Sequence, residues 1–115
     1  MGQKIAGTAY VKADGTQFTV TGAVEAPVSP YIRESIAPGV FKEEDRVPFV
    51  VVEVAHTADL PIETLAEATN MTVTVEFKNG RVYTLTGAYL VEEPSTSSDE
   101  GKIQYRFEGV KGVWQ

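Results

Sequence analysis

The sequence has no cysteine and a single histidine, His56. The first absence excludes a disulfide framework, a thiolate metal site and a cysteine nucleophile. The second excludes any metal site that needs two or three histidines from one chain. No apolar run approaches the ~20 residues of a membrane-spanning helix, and the N-terminus lacks the apolar stretch of a signal peptide. We therefore expect no membrane insertion.

Basic residues are also scarce. The chain carries 10 Lys and Arg against 16 Asp and Glu, a formal net charge of −6. A protein that binds the phosphates of nucleic acid needs an excess of basic residues, because neutralising those phosphates provides much of its affinity. This composition therefore argues against a nucleic-acid-binding protein, and against a basic helix that lies on a membrane surface.

Leucine is rare, with 4 residues, whereas valine and threonine reach 16 and 12. Side chains branched at Cβ suit a pleated sheet better than a helix. Short alternating segments between turn signals are typical of antiparallel sheets. The 115 residues are enough for one domain with its own core. We therefore predict a single domain, 1–115, that is mainly β: an antiparallel β-sandwich or partial barrel with one short flanking helix and a long protruding arm.

Two hairpins can be placed from the pattern. Residues 8–12 and 17–24 flank Asp14-Gly15 and predict the first. Residues 71–78 and 81–90 flank Asn79-Gly80 and predict the second. For the second, a three-residue turn with Gly80 left-handed places Val75 opposite Tyr83, which pairs apolar side chains with each other. A two-residue turn would place Val75 opposite a threonine instead.

Three further segments have readable patterns. The continuous apolar run 49–52 predicts a strand covered on both faces, and the alternation of 102–108 predicts a half-buried strand. Residues 60–69 predict a short helix that Asp59 or a neighbour caps. Its expected apolar face comprises Ile62, Leu65, Ala66 and Thr69.

The segment 25–46, here called the arm, does not fit this pattern. It holds three prolines, which exclude a regular helix or a central strand, yet it also carries several large apolar side chains. A connection of about 20 residues in so small a domain is unusual and is often functional. Two interpretations stay open: the arm covers the domain's own core, or it docks on another subunit as a long protruding hairpin.

No pattern of catalytic, metal-binding or cofactor-binding residues is present. His56 and Asp59 could join a serine in a triad, but the candidate serines (Ser29, Ser35, Ser95, Ser97 and Ser98) lie in predicted loops without a nucleophile-elbow motif. The acidic groups 43–45 and 99–100 lack the spacing of a calcium loop. We predict no catalytic residue, no metal and no cofactor. The role of Trp114, packing anchor or interface residue, stays open.

Several short motifs together resemble the tail tube proteins of Mu-like contractile phages. They are AGTAYVK at 6–12 with Asp14-Gly15, Arg33-Glu34, RVPF at 46–49, Asp59-Leu60, VTVE at 73–76, NGRVY at 79–83, and EGKIQYRFEG at 100–109. Each motif is unspecific by itself, but their order and spacing extend over nearly the whole chain. Residues 94–99 and 110–115 carry no part of the resemblance.

The resemblance implies a structural protein and not an enzyme. Such proteins form hexameric rings that stack into a hollow tube, and DNA passes through without specific binding. The implied partners are further copies of the chain, the tail sheath, the initiator or baseplate and the tape-measure protein. The implied location is the virion tail, and the host cytoplasm during assembly. The arm would contact neighbouring subunits through Val28, Tyr31, Ile32, Arg33, Ile36, Val40, Phe41 and Arg46.

Two other functions remain as alternatives. One is the inner tube of a phage-related contractile injection device, which carries no DNA. The other is a stand-alone β-sandwich binding module, which would be a monomer with a concave aromatic surface.

Overall fold

A computed structural model describes residues 9–58, 60–92, 94 and 101–115. Within these ranges lie ten strands and one helix. In chain order they are β1 (Ala9–Ala13), β2 (Thr16–Gln17), β3 (Val20–Glu25), β4 (Tyr31–Ala37), β5 (Val40–Asp45), β6 (Phe49–Ala55), α1 (Ile62–Glu67), β7 (Met71–Phe77), β8 (Val82–Val91), β9 (Lys102–Glu108) and β10 (Lys111–Trp114).

The strands form two antiparallel layers that share β8. The first layer runs β2-β1-β7-β8, with β10 on the other edge of β8, and the second runs β8-β9-β6-β3. Strands β4 and β5 pair with each other in a separate two-stranded sheet. The prediction of a mainly β, antiparallel sandwich or partial barrel with one short helix is confirmed.

The shared strand changes its neighbour at Gly87. Before this glycine, Tyr83 to Thr86 pair with β10, and after it Tyr89 to Val91 pair with β9. Gly87 has φ +64°, a left-handed conformation that costs glycine little and that other residues rarely adopt. The kink there lets one strand serve both layers.

The register of the second hairpin is the predicted one. Val75 lies opposite Tyr83 and Val73 opposite Leu85, and the turn ends at Gly80 with φ +91°. All four paired side chains are buried. A shift of one residue would have exposed them all, so burial of this face fixes the register.

The first hairpin is shorter than predicted. Its turn at Asp14-Gly15 is as expected, but β2 has two residues, and β3 pairs with β6 in the other layer. Between them Phe18 is buried, with ring centroids 6.2 Å from both Tyr105 and Phe107. Because Phe18 packs between the layers, the chain crosses from one to the other at this point. The predicted continuous strand 17–24 is therefore wrong.

The helix is also shorter, and its buried face differs. It covers Ile62–Glu67, and the residue before it, Pro61, makes no side-chain capping hydrogen bond. Of the predicted face, Leu65 is buried, whereas Ile62, Ala66 and Thr69 are exposed. Six helical residues make fewer than two turns, so one buried leucine anchors the helix. The proposed cap Asp59 lies outside the described residues.

The core lies between the two layers and is rich in valine. Its members are Val11, Ala13, Phe18, Val50, Val52, Val54, Leu65, Met71, Val73, Val75, Tyr83, Leu85, Ala88, Ile103, Tyr105 and Phe107. Strand β9 buries alternate residues, as predicted. Strand β6 buries one face fully, but Val51 on its other face is half-buried. The expectation that 49–52 is covered on both faces is thus only partly confirmed.

Candidate assembly surface

The arm contains a hairpin, β4–β5, that stands away from the two layers. All 15 residues from Tyr31 to Asp45 are exposed. The radius of gyration of 15.9 Å exceeds the roughly 13 Å of a compact domain of this length. The interpretation that these residues cover the domain's own core is therefore wrong, and the segment has the shape of a protruding hairpin.

A tight turn and cross-strand pairs give the hairpin its shape. Pro38-Gly39 forms the turn, where the proline fixes its own φ and Gly39 takes φ +79°. The register shifts between Ser35 and Ala37, so Ile36 lies at a bulge beside the tip. One charged pair crosses the strands here, with Lys42 Nζ 3.6 Å from a Glu34 carboxylate oxygen.

One face of the hairpin combines aromatic rings with a cation. The Arg33 guanidinium lies 5.3 Å from the Tyr31 ring centroid and 5.4 Å from that of Phe41. Its Nε also donates to a Glu43 carboxylate oxygen at 2.7 Å. These contacts hold Tyr31, Arg33 and Phe41 together, three of the residues predicted for the arm. On the opposite face, Ile32 lies across from Glu44.

Arg46 behaves differently from the other predicted arm residues, because it joins the hairpin to the body. It is half-buried, and its guanidinium lies 4.8 Å from the ring centroid of Phe49. Arg106 approaches the same ring at 4.4 Å and pairs with Glu108 at 3.1 Å. The two cations cover Phe49, which is buried although it lies outside the main core.

A cleft of about 490 Å³, here called the base cleft, opens where the hairpin meets the body. It is lined by residues 27–31, 45–46 and Pro48 and by Tyr83, residues 110–112 and Trp114. Two aliphatic side chains at the cleft are almost fully exposed, Val28 at 89% and Val110 at 81%. Val28 is therefore placed at the foot of the hairpin and not on its tip.

Trp114 ties the last strand to the foot of the arm. Its Nε1 donates to the Pro27 carbonyl oxygen at 2.8 Å, and its ring packs on Tyr83 with centroids 5.0 Å apart. Burial raises the pKa of the Tyr83 hydroxyl, and the positive charge of Arg46 partly offsets this effect. Trp114 therefore packs within the chain, which is one of the two roles that the sequence left open.

The strand pairing beside the cleft tolerates no side chain at Gly112. A Cβ atom there would lie 1.8 Å from the Tyr83 hydroxyl oxygen. Sequence reasoning missed this contact, and it missed Val110 as well. The available signal was the spacing of Gly109, Gly112 and Trp114 in a strand-like C-terminus, which indicates a close approach of another backbone or ring.

The candidate chemical residues lie partly inside and partly outside the described ranges. Among the described residues no group of three or more histidine, aspartate and glutamate side chains could hold a metal ion. Ser29 and Ser35 lie exposed in the arm. Asp59, Ser95, Ser97, Ser98, Asp99 and Glu100 lie outside the described residues. No helix in the described ranges is long and apolar enough to cross a membrane.

Several solved structures share this fold at low sequence identity. Hcp1 from Flavobacterium johnsoniae superposes with a TM-score of 0.71 at 15% identity, over 92% of this chain and 93% of that one. A chain of the sheath–tube complex of the PVC extracellular contractile injection system superposes with a TM-score of 0.65 at 9% identity, over 99% of this chain and 91% of that one. The cap that terminates the tube of the anti-feeding prophage superposes with a TM-score of 0.61 at 9% identity, over 100% of this chain and 91% of that one. The chain therefore shares its fold with Hcp1 and with components of these two assemblies.

The sequence itself narrows this class to one family. The profile of the phage tail tube proteins matches residues 2–114, which is nearly the entire chain. The chain belongs to the phage tail tube protein family and is a tube subunit, and the resemblance drawn from the short motifs is confirmed. No curated protein matches the sequence.

Proposed function

We propose that this chain assembles into hexameric rings, that the rings stack into a phage tail tube, and that DNA passes through the channel. The family match over residues 2–114 carries the proposal. The exposed hairpin supports it, because a tube subunit needs a surface that another subunit covers.

The predicted arm residues supply such a surface. Ile36 is 68% exposed and Phe41 54% exposed, on a hairpin whose two strands pair with each other and with no other strand of the described ranges. Exposed apolar area gains about 25 cal/mol per Å² when a partner covers it. Contacts along a tube must be heterologous, with two different patches meeting, because only such contacts continue without closing. A protruding hairpin is one patch of this kind.

The acidic composition suits a channel for DNA. Six chains with a formal net charge of −6 each give a hexameric ring a net charge of −36. DNA phosphates bind where they are neutralised by Lys and Arg, so an acidic tube keeps its cargo from adhering to the wall. This reasoning predicts passage without specific binding.

The same proposal specifies the partners, location and lack of catalysis. Further copies of the chain, the sheath, the initiator or baseplate and the tape-measure protein are its partners. The assembled protein resides in the virion tail, and assembly takes place in the host cytoplasm. A structural role requires no enzymatic activity and no cofactor.

A tube without DNA is the second candidate. It is favoured by one observation: two of the similar solved structures are described as parts of an extracellular contractile injection system and an anti-feeding prophage. Particles purified from producing cells separate the two functions. Nuclease-resistant DNA inside them supports the phage tail, and particles free of DNA support the injection device.

Electron microscopy over a concentration series tests assembly itself. We expect rings or tubes of the purified wild-type protein at high concentration, and longer tubes when preformed tube fragments are added as seeds. The matched control is Ile62→Asp, a change on the exposed helix, which should assemble as the wild type does. Monodisperse monomers at every concentration, with and without seeds, would contradict the proposal and favour the stand-alone binding module.

A further inference from the structure

The hairpin β4–β5 is joined to the two layers through two short connectors: residues 26–30, here called the first connector, and residues 46–48, the second connector. The strands next to them pair with each other, with Glu25 of β3 opposite Val51 of β6, so both connectors leave the same layer side by side. Beyond them the two hairpin strands pair only with each other in the described ranges. The direction of the hairpin therefore depends on how the connectors are held.

The second connector is held against the second layer. The Pro48 carbonyl oxygen accepts a hydrogen bond of 3.1 Å from the backbone N–H of Gly109, just after β9. The Arg46 guanidinium lies 4.8 Å from the ring centroid of Phe49, at the start of β6. The backbone N–H of Arg46 also donates to the Pro30 carbonyl oxygen at 2.9 Å, which links the two connectors to each other. These contacts join one foot of the hairpin to the layer that contains β6 and β9.

The first connector is held from the other layer. Pro27 is buried, whereas Val28 directly after it is 89% exposed, so the chain leaves the body at the peptide between them. The carbonyl oxygen of that peptide accepts a hydrogen bond of 2.8 Å from Trp114 Nε1, within the range of well-formed hydrogen bonds. Trp114 belongs to β10, which pairs with β8 in the first layer. One indole N–H therefore reaches from the first layer to the point where the arm leaves the body.

The indole is itself restrained by its neighbours. The ring centroid of Trp114 lies 5.0 Å from that of Tyr83 and 5.7 Å from that of Phe77. The Arg81 guanidinium lies 5.7 Å from the same centroid. Gly112 in β10 leaves room for the Tyr83 hydroxyl, because a Cβ atom there would overlap it. A ring packed in this way presents its N–H in one direction, so the hydrogen bond gives the first connector a defined position.

Apolar packing provides little further restraint at this junction. The base cleft, about 490 Å³ in volume, is lined both by the first connector and by residues 110–112 and Trp114. Val28 and Val110 at this cleft are 89% and 81% exposed. A segment with few buried apolar contacts opens at a low free-energy cost, so its direction depends on the polar contacts that remain. For the first connector, that contact is the hydrogen bond from Trp114 to Pro27.

We propose that Trp114 is a positioning residue for the arm: its indole N–H holds the Pro27 carbonyl and thereby sets the direction in which the hairpin leaves the body. The second connector is joined to the second layer, and this hydrogen bond joins the first connector to the first layer, so both layers brace the hairpin. The contact acts within one chain. The inference therefore goes beyond the proposed tube function and does not depend on assembly.

Distances between two spin labels test the proposal, and the absence of native cysteine allows both labels to be placed at chosen sites. Ile36→Cys at the hairpin tip and Glu76→Cys on β7 are exposed positions that report the distance from tip to body. Pulsed electron paramagnetic resonance of monomeric protein at low concentration should give one main peak in the otherwise wild-type chain. Trp114→Phe retains an aromatic ring but has no N–H, so the fraction of chains outside this peak should rise by roughly two- to tenfold.

Arg81→Met is the matched control for this measurement. It removes the cation next to the indole but leaves the indole N–H and the Pro27 carbonyl in place, so its distance distribution should equal that of the wild type. An unchanged distribution in Trp114→Phe overturns the proposal. Equal broadening in Arg81→Met also overturns it, because the hydrogen bond would then not be what positions the hairpin.

A residue of the same size as tryptophan separates the hydrogen bond from ring packing. Benzothienylalanine at position 114, introduced by codon suppression, keeps the bicyclic ring and replaces the indole N–H by sulfur. It should broaden the distance distribution as Trp114→Phe does, while circular dichroism shows a thermal melting curve close to that of the wild type. If the isostere leaves the distribution unchanged, the volume of the ring positions the arm and the proposal is refuted. All these measurements use the monomer, so a wild-type protein that never forms tubes would refute the proposed function without affecting them.

Discussion

Removing one phenyl ring from the core and one from the hairpin should separate folding from assembly. Phe107 is fully buried, with its ring centroid 5.9 Å from that of Tyr105 and 6.2 Å from that of Phe18. Truncating such a phenylalanine to alanine costs about 3–5 kcal/mol, from the lost transfer free energy and the cavity left behind. The substitution Phe107→Ala is therefore expected to be strongly destabilising.

Phe41→Ala deletes the same atoms from the hairpin at a far lower cost. Phe41 is 54% exposed, and its main described contact is with the Arg33 guanidinium at 5.4 Å. A cation–π contact at an exposed site contributes about 0.5–1 kcal/mol. The hairpin also pairs with itself and not with the two layers, so its loosening is a local event that leaves the global unfolding free energy nearly unchanged.

Thermal melting followed by circular dichroism measures the difference. A domain of this length has an unfolding entropy near 0.24 kcal/mol/K, so each 1 kcal/mol shifts Tm by roughly 4 °C. Phe107→Ala should lower Tm by about 12–20 °C, and Phe41→Ala by less than about 4 °C. Electron microscopy should show tube formation impaired in the folded Phe41→Ala protein. Equal losses of Tm would mean that the hairpin belongs to the folding core, and the reasoning would be refuted.

Three further predictions concern packing, charge and pH. Gly112→Ala should lower the free energy of unfolding, measured with urea, by about 1–3 kcal/mol, because the new Cβ would displace the Tyr83 hydroxyl. Val113→Ala, on the exposed side of the same strand, should lower it by less than about 1 kcal/mol. Fluorescence anisotropy should detect no binding of duplex DNA at physiological salt, and micromolar affinity that weakens with added salt would contradict the channel argument. Burial raises the pKa of Tyr83 and Tyr105 above the usual 10.0, so the contribution of these two groups to stability should be constant below about pH 10 and be lost above it, because the tyrosines ionise first in the unfolded chain. Urea midpoints from pH 8 to 11 should show this fall, and Tyr105→Phe should reduce it; an unchanged fall would contradict the assignment.

Local alternation was enough to predict the long strands and one register. Val73, Val75 and Leu85 are all buried, and a one-residue shift would expose them together. The alternation of apolar and polar residues therefore determines the register of this hairpin. The crossing at Phe18 could not be predicted. It depends on the packing of the Phe18 ring against Tyr105 and Phe107 of β9, and no property of residues 17–24 reveals those tertiary contacts.

The candidate assembly surface was likewise predicted only in part from the sequence. Prolines beside apolar residues indicated that the arm leaves the core, and Ile36 and Phe41 are exposed as that reasoning requires. The base cleft could not be predicted, because Val28 and Trp114 lie 86 positions apart and meet only after the sheets have formed. Its position depends on tertiary contacts, such as the hydrogen bond from Trp114 to Pro27.

Trp114 is the single tryptophan of the chain and lines the base cleft at the foot of the exposed hairpin. Its indole is half-buried and also faces the Arg81 guanidinium at 5.7 Å from the ring centroid. Each subunit therefore contains one indole, which can be excited selectively over the five tyrosines, at one defined place. When a neighbour excludes water from this ring, its emission moves to shorter wavelength, and stopped-flow fluorescence can follow subunit addition in unlabelled protein.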